Sequence, residues 1–150
     1  LYLNRQDVRR TLSLVREQRG RKFVSGPRGE HYDLDPLFDE LNLEFFNGLM
    51  GKPRLGWSRQ RSRTLLGHYD PTHNAIILSR LLDDEQVPLF VVRYVLFHEM
   101  LHLEHPVEHR GTRRRVHTHA FREAEKRYPD FKQAREALKR ICGHARSALD

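Results

Sequence analysis

The stretch from Val87 to Leu103 constrains this chain more than any other: VPLFVVRYVLFHEMLHL, in which Arg93 is the only charge before His98. A surface that is apolar on nearly every side suits a helix enclosed by the rest of its domain. The spacing predicts a helix over residues 86–104, ended by Pro106, which disfavours helical geometry at His105. His98, Glu99 and His102 stand at its end. Residues four apart share a helix face, so the two imidazoles converge, and Glu99, one step round, reaches the space beside them. Polar groups in so apolar a setting are costly unless compensated, and a metal ion is the compensation this pattern favours.

The surrounding sequence sets the frame. At 150 residues the chain fits one hydrophobic core, and 38% hydrophobic with 31% charged residues is the mixture of a folded domain. No apolar run approaches the roughly 18 residues of a membrane span, and the Arg-rich start lacks a signal peptide's apolar centre, so a cytoplasmic protein with no membrane contact is expected. Cys142 is the single cysteine, which excludes an internal disulfide and any Cys-rich metal site. Histidine must therefore supply the ligands. The net charge is +5 over residues 1–30, −5 over 31–109 and +7 over 110–150. Basic ends around an acidic middle lead us to expect weak, sequence-independent contact with DNA.

Leu1, Val8, Leu12 and Val15 recur at helical spacing before Gly20, and a Gly/Pro-containing stretch comes next. Residues 1–30 are read as a basic helix plus connector, and residues 31–150 as the functional domain. Asp35 and Pro36 predict a helix start, with Leu37, Phe38, Leu41 and Phe45 on one face of a helix over 36–47 closed by Gly48. Short runs at 54–59, 64–69 and 75–79, separated by Asp70-Pro71 and His73-Asn74, predict a three-stranded, mostly antiparallel sheet. Residues 105–115 are read as a basic loop, and 117–127 and 130–147 as two closing helices. The fold class is α+β: a small sheet on a buried helix, with flanking helices.

A catalytic zinc needs three protein ligands, so a third must come from beyond Pro106. The signature H-E-x-x-H-x-x-G-x-x-H fails, because His105 and Glu108 stand where it needs Gly and His. His105 lies two helical turns from His98, too far along the axis to share one ion with it. His109, His119 and Glu123 are weaker candidates than His117, which opens a helix with Phe121 one turn on.

Three stretches together resemble the SprT-like zinc metallopeptidases, the family of the Spartan DNA–protein crosslink proteases and the YgjP-related bacterial hydrolases. They are Leu37-Phe38-Asp39-Glu40-Leu41-Asn42 running to Phe45-Phe46-Asn47-Gly48; Trp57-Ser58, Arg63-Thr64 and Gly67 followed by Ile76-Ile77-Leu78-Ser79; and His98-Glu99-Met100-Leu101-His102 with His117-Thr118-His119-Ala120-Phe121. The resemblance spans residues 35–130. It implies a minimal zincin domain, Zn2+ held by His98, His102 and His117, and Glu99 as general base for peptide-bond hydrolysis in protein substrates, DNA-associated ones among them. The family's usual Gly or Ser after its third ligand is Thr118 here, and its Cys-rich zinc ribbon has no counterpart in these residues. Substrate is expected to add to an open sheet edge, with Ala75 to Ser79 as the candidate strand. Two other classes compete: a nucleic-acid-binding or scaffold domain with structural zinc, and a metal-dependent phosphoester or nucleotide hydrolase.

Overall fold

The computed structural model describes residues 24–105, 108–110, 113–115, 117–143 and 149. The helix expected over 1–19 lies outside them. Among the described residues the order is β1 (Val24–Ser25), α1 (Leu34–Phe45), β2 (Arg54–Ser58), β3 (Gly67–Asp70) and β4 (Ala75–Leu78). A 3-10 turn (Arg80–Leu82), α2 (Leu89–Glu104), β5 (Glu108–Arg110), β6 (Arg113–Arg115), α3 (His119–Glu125) and α4 (Phe131–Cys142) complete it.

The fold is α+β, as expected, but the sheet is mixed rather than mostly antiparallel. Its order is β1-β2-β4-β3. β3 and β4 form an antiparallel hairpin, whereas β2 runs parallel to β4, with Leu55 opposite Ile76 and Trp57 opposite Leu78. Placing β4 centrally overturns the expectation that Ala75 to Ser79 is an open edge. All four residues of β4 are buried, Ile76 and Leu78 completely. Among the described residues the outer strand on that side is β3.

The stretch read as a connector contributes a fourth, two-residue strand, β1, antiparallel to β2. Two anchors hold the segment between β1 and α1. The Trp57 indole donates to the Pro27 carbonyl at 3.0 Å. The Asp83 carboxylate, 5% exposed, accepts the backbone N–H groups of Glu30, His31 and Tyr32 at 2.7–2.9 Å. Gly29 is obligatory beside it, since a Cβ there would lie 2.2 Å from Asp83 Oδ2.

The elements differ from expectation mainly at their ends. α1 starts at Leu34 because Asp33, not Asp35, is the cap, its carboxylate accepting the Asp35 N–H at 3.0 Å. Pro36 then falls in the first turn, where its missing N–H costs nothing. The helix closes through the left-handed pair Asn47 and Gly48, with Gly48 N–H donating to the Asn42 carbonyl at 2.9 Å. α2 begins after Pro88, three residues later than expected. Residues 105–115, read as a loop, contain the antiparallel ribbon β5–β6, and the closing helices are shorter than predicted, α4 stopping at left-handed Gly143.

α2 is the centre of the domain. From Val91 to Leu101 every residue except Arg93 is buried, and the sheet, α1, α3 and α4 pack around it. Arg93 reaches outward to Glu44 Oε2 at 3.0 Å. Phe45, Phe97, Tyr94, Tyr128 and Phe131 join α1, α2 and α4 through ring contacts of 4.6–6.2 Å. Among the described residues no helix is long and apolar enough to cross a membrane.

Candidate metal centre

His98 and His102 lie one turn apart on α2, and His117 stands two residues before α3. Thr118 caps that helix, its hydroxyl accepting the Phe121 N–H at 3.1 Å. The departure from Gly or Ser at this position is thus a capping residue, which fixes the chain where His117 leaves it. The three imidazoles stand with ring centroids 5.0–5.2 Å apart. One ligand nitrogen from each lies within 4.8 Å of the other two.

Phe121 is the floor of this group. It is 1% exposed, and its ring lies 4.9 Å from His98, 4.7 Å from His102 and 4.8 Å from His117. The ring meets His98 edge-on, at 75°, and lies obliquely against His102 and His117, at 34° and 31°.

Glu125 holds His98 from behind. Its carboxylate is hydrogen-bonded to His98 Nδ1, stands 3.8 Å from Arg135 Nη1 and also pairs with the Tyr94 hydroxyl. Burial pushes the Glu125 carboxyl up, but the hydrogen bond with His98, together with Arg135 and Tyr94, outweighs it and holds the group below the usual carboxylate range. Tyr94 moves the other way, raised by burial and then by the Glu125 charge. When the neutral ring donates its Nδ1–H to the Glu125 carboxylate, His98 carries its lone pair on Nε2.

Glu99 is fully buried, its Oε1 3.9 Å from His98 Nε2. Across from it lies Gly67, the first residue of β3. A Cβ there would sit 2.8 Å from Val95 Cγ1 and 3.2 Å from Glu99 Cγ, so the strand approaches α2 only because the residue is glycine.

The sequence candidates separate cleanly. His98, His102 and His117 come together, with Glu99 beside them. Glu123 is exposed, paired with Lys126 at 3.4 Å, and is not part of the group. His105 is half-buried with its ring 6.0 Å from Phe121, and His119 is exposed; neither belongs to the group. The side chain of His109 lies outside the described residues. Tyr69 donates its hydroxyl to Asn74 Oδ1 at 3.0 Å. Sequence reasoning missed Glu125, whose signal was its place one helical turn after Phe121 on the buried face of α3.

A donor set of three imidazoles backed by a carboxylate suits a borderline-soft divalent cation and not a hard, oxygen-loving one. The SprT-like family profile matches residues 34–140, the span that holds α1, the sheet from β2 onward and every element of the site. The chain belongs to the SprT-like family. Neither the curated proteins nor the solved structures contain a match to it. In this SprT-like domain the match ends within α4 and leaves β1 and its anchoring loop outside.

Proposed function

We propose that this SprT-like domain is a zinc metallopeptidase, with His98, His102 and His117 as the metal ligands and Glu99 as the general base. The observation that carries the reading is the placement of a fully buried carboxylate against three gathered imidazoles. Zinc held there would supply Lewis-acid polarisation of the scissile carbonyl and a more acidic water. Glu99 takes the proton of the attacking water and returns it to the leaving amine. Glu125 keeps His98 in one tautomer and orientation, and Phe121 keeps the rings in place. Substrate backbone adds to β3, the outer strand whose first residue abuts Glu99.

A closed structural site would use a fourth protein ligand. The metal-capable group found among the described residues contains three side chains, and Glu99 adjoins it as a base would, which favours the hydrolytic class. Arg122, Lys126, Arg135 and Lys139 line the cavity beside the imidazoles and support weak, salt-sensitive contact with DNA and action on DNA-associated proteins.

The test is hydrolysis of casein beside metal analysis. Glu99→Gln should lose activity by about 100-fold or more while keeping one zinc per chain. His117→Ala should lose the metal, and Glu123→Ala should keep both metal and activity. Turnover retained by Glu99→Gln overturns the mechanism.

A further inference from the structure

The outer strand β3 is already touched by the chain itself. Leu149 forms a parallel β-bridge with Gly67, the residue that abuts Glu99. Its side chain is half-buried and packed against the core. It lines a cavity of about 590 Å³ whose walls include His98 and His117, with Tyr94, Phe131 and Leu138 as an apolar part and Arg122, Lys126, Arg135 and Lys139 as a basic one. One residue thus does two things at one place, pairing its main chain with the sheet edge and setting an apolar side chain into a pocket beside two of the gathered imidazoles. Those are the two components by which an added strand is recognised: main-chain pairing for affinity and a pocket for specificity.

We propose that Leu149 fills, in cis, the subsite that receives a leucine-sized apolar side chain of a peptide substrate, so that the chain occludes its own metal centre. This rests on the peptidase reading above and adds a substrate preference and a self-limiting contact to it. Tethering makes a weak contact sufficient. A segment linked through a few residues acts at an effective concentration of the order of millimolar, so incoming peptide must compete with it. Among the described residues the bridge is a single residue pair, which such competition can displace.

The test uses the full chain and two readouts. Leu149→Lys sets a cation beside Arg122, Lys126, Arg135 and Lys139, which repel it, and should raise kcat/KM for casein about 3- to 10-fold at unchanged zinc content; Leu149→Ala should raise it by less. A fluorescein-labelled, N-capped Ser-Ala-Leu-Asp peptide, followed by anisotropy, should bind Leu149→Lys more tightly than the unsubstituted chain, whose own leucine competes. The same peptide with Lys in place of Leu should bind neither. Equal peptide binding by both proteins overturns the proposal, as does a Leu149→Lys chain that is no more active than the unsubstituted one while that one hydrolyses casein. Absence of hydrolysis in both proteins, with tighter peptide binding by Leu149→Lys, refutes the peptidase reading and leaves the occluded groove standing.

Discussion

A neutral imidazole that donates its Nδ1–H to a carboxylate presents Nε2 as a lone pair, and Glu125 favours this arrangement of His98 from a helix 27 residues away in sequence. Glu125→Gln keeps an acceptor and removes the charge. Its expected effect is a fall in zinc affinity of about 10- to 100-fold, measured by competition with a chromogenic chelator, with the fold intact by circular dichroism. Affinity equal to that of the unsubstituted chain would show that His98 is positioned by packing alone. The ligand-bearing part of this arrangement was legible because His98, Glu99 and His102 obey the helix period within five positions. Glu125 was harder to read: α3 has only seven residues, and its place one turn after Phe121 was the signal that it turns inward.

Where β3 meets α2, two elements are closer than side chains normally permit, and Gly67 alone allows it. Gly67→Ala would set a methyl 2.8 Å from Val95 Cγ1 and 3.2 Å from Glu99 Cγ, both side chains fully buried. Overpacking of this kind costs about 1–3 kcal/mol, read by urea denaturation, and should displace Glu99, so that activity falls at constant zinc content. A variant with unchanged stability and activity would mean that β3 can step back from α2. The sequence announced α2 through its unbroken apolar run and α1 through its periodic face. Strand order was beyond it, because the runs at 54–59, 64–69 and 75–79 reveal strands but not that the third inserts between the first two. The ribbon β5–β6 was hidden by composition: its Glu, His and Arg residues show neither the apolar runs nor the alternation of apolar and polar that mark strands. The start of α1 was misplaced by two residues since Asp33 and Asp35 are equally good caps on paper, and Asp33 is the one whose carboxylate accepts a backbone N–H.

Among the described residues one buried carboxylate, Asp83, ties down the segment before α1, and it contributes to the molecule's acid stability. Asp83 is pushed up by burial, but the three backbone N–H groups it accepts prevail, with a smaller contribution from His31, and its folded pKa lies below 3.8. A group whose pKa is lowered on folding stabilises fully above its unfolded value and loses that contribution as pH falls through the folded value. Asp83→Asn should therefore cost about 2 kcal/mol at pH 7. The gap between variant and unsubstituted chain should narrow only below about pH 4. A gap unchanged at pH 2–3, followed by guanidinium denaturation, would mean that the charge plays no part. The central position of α2 carries one more implication, which concerns time rather than space. His98 and His102 are synthesised before His117, Phe121 and Glu125, and the helix that carries the first two has no wholly polar face to turn to water while it waits. A partly made chain holds two imidazoles without the third, without the floor beneath them and without the carboxylate that orients them. On the proposed reading, hydrolysis begins only after α3 has left the ribosome and docked, and neighbouring nascent polypeptides are spared until then.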